Sequence, residues 1–206
     1  MRYGLIEMFY GKILTNVLKK QFVKNPKLQE LDTKIILNEY KKIIKRAPYI
    51  GGSKNMCQGS YIMGAYIISV YKTIKNIVSL SELDRMIADG LNSFTFMKKS
   101  ISKVNMISQE YRDKIRKYGE WCERTSEKYP NNWKVHLENT NNTDMTNMVF
   151  TKCALCNMTK EENVPELINS MCATDFITFS FAKCKLTRNS TIGNGDDKCN
   201  FIIEKE

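Results

Sequence analysis

Along the first 128 residues the apolar positions recur at helical spacing. Leu5, Ile6, Phe9, Ile13, Val17 and Leu18 form one series, which Asn25-Pro26 closes. A second stripe of Ile35, Ile36, Tyr40, Ile43 and Ile44 predicts a helix from about Lys27 to Arg46. The stretch Ala47-Pro-Tyr-Ile-Gly-Gly-Ser-Lys-Asn55 then demands a turn or loop. Met56 to Val78 is apolar nearly all round, the signature of a central buried helix. Ser81-Glu-Leu-Asp84 reads as a capping box opening a fourth helix to about Phe94. Ser108 can cap a fifth, polar helix to about Lys128, and Pro130 ends the region.

The period changes after Pro130. Trp133, Val135 and Leu137 alternate with Lys134, His136 and Glu138, so one face of a strand is apolar and His136 faces solvent. The polar run 139–147 reads as a turn, and Met148 to Met158 as a second strand. Glu161 to Met171 reads as a helix, with Glu161 and Glu162 at its positive end and Pro165 in its first turn. Cys184, Leu186, Arg188 and Ser190 share one face of a third strand. Cys199, Phe201 and Ile203 share one face of a fourth, and Gly193-Asn-Gly195 lies between the two. The expectation is an α+β chain: a helical N-terminal half, 1–130, packed on a small antiparallel sheet with one helix, 131–206, in one compact unit.

Composition narrows the class. The 206 residues are 42% hydrophobic and 26% charged, ordinary for a globular chain. No apolar run nears the ~20 residues that span a bilayer. Glu7 and Lys12 interrupt the apolar start, so no leader is read there and a cytoplasmic location is expected. Seven cysteines then read as reduced thiols, mostly small buried hydrophobes. Cys153-Ala-Leu-Cys156 resembles half a zinc site, yet on a strand residues three apart face opposite ways and could not share a metal.

The net charge of +10 is uneven. Residues 1–135 carry 25 basic and 12 acidic side chains, and residues 136–206 carry 7 and 10. The lysines spread over polar helix faces without an aromatic platform or arginine-rich arm. Solvated helices therefore fit better than a nucleic-acid surface. Exposed apolar residues on the N-terminal helices would permit a homo-oligomer.

Four residues near the C-terminus draw attention. Cys172 and Asp175, three apart, can share one side of a helical turn. Arg188 falls on the apolar face of its strand, where a guanidinium needs an anion, from the protein or from a ligand. Cys199 follows the Gly-rich turn at once. Taken singly, a strand cysteine is more often core than nucleophile, and an arginine beside an aspartate more often a salt bridge than a clamp.

Together with their surroundings these residues are similar to a known family. Pro48-Tyr-Ile-Gly-Gly-Ser-Lys-Asn55 before a long apolar helix, Cys172-x-x-Asp175, and the run from Leu186 through Arg188, Thr191 and Gly195 to Cys199-Asn-Phe201 resemble the L-2-amino-thiazoline-4-carboxylic acid hydrolases. The likeness covers most of the chain and is strongest after Met148. Asn189 stands where that pattern has Thr, and Asn200 where it has Asp. The resemblance implies ring opening of a cyclic isothiourea that bears a carboxylate, to an N-carbamoyl cysteine.

Such a reaction needs a nucleophile, a proton carrier and a carboxylate anchor. On the resemblance, Cys199 is the first choice as nucleophile and Cys172 the second. Asp175 is the base or the group that orients it, and Arg188 clamps the carboxylate. Thr191 and Asn200 would donate hydrogen bonds to the intermediate, and Cys153 would line the site. A cation beside Cys199 would lower its thiol pKa. No cofactor is implied and the partner is a small molecule, with neither nucleic acid nor membrane. The alternatives are a divalent metal held by Cys172, Asp175 and Cys199, a binding protein that kept the pocket without turnover, and a nucleic-acid binder.

Overall fold

The computed structural model describes residues 1–140 and 142–206, so Asn141, within the expected turn 139–147, lies outside the described residues. The chain is α+β. The described residues form eight helices, mostly N-terminal: α1 (Leu5–Lys24), α2 (Thr33–Arg46), α3 (Gln58–Ile74), α4 (Leu80–Ser93), α5 (Thr95–Ile101), α6 (Gln109–Arg124), α7 (Ala154–Glu161) and α8 (Ile168–Phe181). Strands β1 (Lys134–Glu138), β2 (Met145–Lys152), β3 (Cys184–Thr187) and β4 (Cys199–Lys205) form an antiparallel sheet in the order β1-β2-β4-β3.

Two compact units emerge, one of residues 1–94 and 158–174, the other of 95–157 and 175–206. Both units draw on residues from either side of Pro130, where the hydrophobic period changes. A change of hydrophobic period reports local structure, whereas a unit is defined by which elements bury one another.

In the first unit α3 is the buried helix its composition predicts. Tyr61, Ile62, Tyr66, Ile68 and Ile74 are almost wholly covered, beside Ile36, Tyr40, Ile43 and Ile44 of α2. Gly11 of α1 makes room for the Tyr40 ring, which a Cβ there would meet at 2.7 Å. The buried hydroxyls are satisfied: Tyr66 donates to Thr15 at 2.9 Å, and Tyr40 to the Glu7 carbonyl at 3.0 Å. Helix α4 is capped two residues earlier than expected. Ser79 and Glu82 form its reciprocal cap, because Glu reaches back where the shorter Asp84 would not.

In the second unit, Ser108 caps α6 as expected, accepting from Tyr111 N–H. Gly119 brings α6 onto β1. A Cβ there would collide with the Val135 carbonyl oxygen, so only glycine allows the approach. His136 is exposed, as its place in the alternation requires.

Helix α2 begins at Thr33 rather than about Lys27, β3 ends at Thr187 short of Ser190, and other elements depart further from the sequence reading. The strand expected over 148–158 ends at Lys152, and the chain turns into α7 at Cys153-Ala154. The helix expected over 161–171 is a single 3-10 turn at Pro165–Leu167 followed by α8, which runs to Phe181. Residues 172–175 therefore lie inside a helix, not at its end. Helix α5 has no counterpart in the sequence reading. After α8, Lys183 adopts a left-handed φ of 55° and turns the chain into β3.

Candidate functional site

The second unit gathers Asp175, Arg188 and Cys199 against one face of its sheet. The pairing of β4 with both neighbours sets that face. Phe150 lies opposite Cys199, Met148 opposite Phe201, and Leu186 opposite Ile203. Cross-strand partners project the same way, so Cys199, Phe201 and Ile203 share a face with Leu186 and Cys184. Phe201 is the centre of the layer, with the Phe150 ring at 5.2 Å and the Phe179 ring of α8 at 6.0 Å. The last two turns of α8 thus lie over this face and bring Asp175 to it.

Arg188 leaves β3 by one residue and keeps its alternation. Its guanidinium lies 4.7 Å from the Phe176 ring centre and 5.1 Å from that of Phe201. Arg Nη1 donates to Asp175 Oδ2 at 2.9 Å. Only 4% of the arginine side chain is exposed, against 34% of the aspartate. The aromatic rings and one carboxylate together make a buried cation tolerable.

Burial governs the electrostatics. The Asp175 carboxyl is pushed up to about 6 by desolvation, which Arg188 only partly offsets through its charge and hydrogen bond. Cys199 is buried, and desolvation raises its thiol too. The Ile192 N–H, which donates to its sulfur at 3.1 Å, and Arg188 pull the other way, while Cys153 and Asp175 add to the rise. The expected lowering of the Cys199 pKa is therefore overturned. The cation is present, but its field is shared with Asp175 and burial outweighs it.

The loop between β3 and β4 is tied by its own polar groups. Asn200 Oδ1 accepts from the Asn189 and Ser190 N–H groups, both at 2.8 Å, and from the Ser190 hydroxyl at 3.1 Å. Thr191 Oγ1 accepts from Asn194 N–H, and Asp196 accepts from Thr191 N–H at 2.7 Å. Gly195, with φ of 96°, closes the turn at a conformation an L side chain would resist. The oxygens of Thr191 and Asn200 shape the loop that carries Ile192 N–H to Cys199, while the donations expected of these residues would come from the Thr191 hydroxyl proton and the Asn200 amide nitrogen.

Cys153 is half-buried at the start of α7, close enough to Cys199 for its charge to raise the Cys199 thiol. Cys172 is half-buried one turn before Asp175, in the stretch of α8 that belongs to the first unit. Two surface depressions, of about 700 and 280 Å³, lie elsewhere. One is lined by Ile35, Glu39 and Lys72 and the other by Gly119, Lys134 and His136, so neither includes Asp175, Arg188 or Cys199. Among the described residues no group of three or more His, Cys, Asp or Glu side chains is arranged to hold a metal ion. None of their helices is long and apolar enough to cross a membrane.

Sequence reading missed Phe176, Phe201 and the Ile192 N–H. The alternation that marked Cys199 also marks Phe201, so its signal was present. Nothing local announces that Phe176, 46% exposed, flanks a guanidinium.

Residues 60–203 match the sequence model of the family described as L-2-amino-thiazoline-4-carboxylic acid hydrolase. No curated protein and no solved structure matches the chain.

Proposed function

The chain belongs to the L-2-amino-thiazoline-4-carboxylic acid hydrolase family, and from that premise we propose that it opens a cyclic isothiourea, or a related cyclic amidine, bearing a carboxylate. The observation that carries this reading is the Asp175–Arg188 pair beside Cys199, with the aspartate near neutrality. A carboxyl at about 6 is ionised at pH 7 yet basic enough to take a proton, the requirement for a general base.

In this mechanism Arg188 is the cation that the substrate carboxylate meets. Asp175 takes the Cys199 proton as the sulfur adds to the amidine carbon. This suits a thiol whose own pKa is raised and which cannot ionise unaided. The tetrahedral carbon collapses with loss of the ring sulfur, which takes the proton back from Asp175 and becomes a thiol. Water then hydrolyses the enzyme-bound isothiourea, with Asp175 again as base. Cys199 is released, and the product carries a carbamoyl group on its nitrogen and a free thiol. Cys153 lines the site, and Cys172 remains the second choice of nucleophile. Direct addition of water with Asp175 as base gives the same product.

The reaction liberates one thiol per turnover, and this provides the test. The purified protein is incubated with 2-amino-thiazoline-4-carboxylate and related cyclic thiolines. Free thiol is titrated and product mass read in parallel. Thiol release that depends on Asp175 supports the reading. Ligand-induced stabilisation without product would replace it by a binding role. We assign these steps to the chain's own side chains. Metal analysis of the active protein, with activity before and after chelation, tests that assignment.

A further inference from the structure

The mechanism above leaves Cys156 without a part, and the structure puts it in contact with Cys153. We propose that Cys153 and Cys156 form a redox-active dithiol, closed to an intramolecular disulfide by low-molecular-weight disulfides. This goes beyond the hydrolytic reading and does not depend on it.

Strand β2 stops at Lys152, and Cys153 becomes the N-cap of α7, its carbonyl accepting the first helical bond from Asn157 N–H. Cys153 Sγ occupies the place of a capping oxygen. It accepts from Cys156 N–H at 3.5 Å and from Leu155 N–H, and it also hydrogen-bonds the Cys156 thiol. One helical turn spaces the two residues as a disulfide needs, since neighbours three apart have Cβ atoms about 5–6 Å apart and little motion closes that gap. The two sulfurs differ in access: Cys153 is half-buried and Cys156 buried. That asymmetry assigns Cys153 as the attacking thiol and Cys156 as the resolving one.

The chemistry balances. Cys153, on losing its proton to solvent, attacks one sulfur of the small disulfide, forming a mixed disulfide and expelling one thiolate. Cys156, deprotonated in turn, attacks Cys153 Sγ and expels the second. The protein loses two electrons and two protons, and the small disulfide becomes two thiols. Backbone N–H groups aimed at Cys153 Sγ favour its anion. The Cys156 thiol and burial hold its pKa high, so the exchange accelerates with rising pH.

The test uses the intact wild-type chain with oxidised glutathione at a pH of about 8.5, where thiolates form. Free thiols are then blocked with N-ethylmaleimide and the protein is digested with trypsin. Lys152 and Lys160 bracket a peptide that contains Cys153 and Cys156 and no other cysteine. The expected result is that this peptide loses both alkylation events and becomes lighter by two hydrogens, and that dithiothreitol reverses the change. Cys156→Ser should instead accumulate a glutathione adduct on Cys153. The proposal is overturned if the wild-type peptide carries two maleimides, if Cys153 is found linked to Cys199, or if Cys156→Ser stays unmodified.

Discussion

Each unit contains a carboxylate tied to an arginine, and the two pairs behave in opposite ways. In the first unit Glu162 is 5% exposed and meets two cations. Arg46 donates through Nε and Nη2, both at 2.5 Å, and Lys72 donates at 2.6 Å. In the second unit Asp175 is more exposed and accepts from Arg188 Nη1. Burial pushes Glu162 up, but Arg46 and Lys72 together outweigh it and the carboxyl ends below its usual range. The charge and hydrogen bond of Arg188 do not outweigh the desolvation of Asp175, which ends near 6. The number and geometry of cationic partners decide the sign, not depth alone. A fully matched carboxylate is a fastening. An under-matched one can exchange protons near neutral pH.

The sharpest way to break this contrast is Asp175→Asn. It should lower kcat/KM for thiol release about a thousandfold, the scale of a lost general base. Cys199→Ser should remove the covalent route with a comparable loss, and full activity in that variant would exclude it as nucleophile.

Next comes Glu162→Gln, which leaves Arg46 and Lys72 without their shared anion. Because Arg46 is half exposed, the loss should fall below that of a fully buried pair, about 2 kcal/mol in denaturant unfolding. Activity should be retained at temperatures where the variant stays folded.

The pH dependence separates the two carboxylates by sign. Asp175 binds its proton more tightly folded than unfolded, so its contribution to stability is full below an unfolded value of about 3.9 and is lost as pH rises through about 6. Glu162, held below its usual range, stabilises above its unfolded value and loses that contribution as pH falls through its folded one. Chemical denaturation across this range should show the Asp175 slope in the wild type and not in Asp175→Asn. The kcat/KM profile should rise through the same pH of about 6.

Smaller still, Arg188→Lys should weaken binding of a carboxylate ligand by about tenfold, because a point charge loses the planar fork. Smallest is Asn200→Asp. Its oxygens can accept from the same three N–H and O–H donors, so thermal stability should be nearly unchanged.

Much of this was legible in the chain. Alternation put Arg188 and Cys199 on apolar strand faces, and the all-round apolar run of 56–78 gave the buried helix α3. Other features were hidden for identifiable reasons. Apolar residues continue from β2 into α7, so nothing in their pattern marks the turn at Cys153, where a sulfur serves as the cap. Helix α8 is apolar on most of its circumference, and no Gly or Pro follows Phe181 to show its end. The Cys199 environment depends on a balance between burial and a shared cation, which requires coordinates. Division of the chain into units depends on long-range burial, which a local period does not encode.

The turn from α8 into β3 also bears on heat tolerance. Lys183 holds a left-handed backbone that costs an L side chain about 1–2 kcal/mol, and its side chain lies exposed. Glycine at 183 would relieve that strain, less the freedom it adds to the unfolded chain. The net is about 1 kcal/mol, or a few degrees in the melting temperature of a protein this size. The position lies outside the Asp175, Arg188 and Cys199 cluster, so the chain can be hardened there without touching its chemistry.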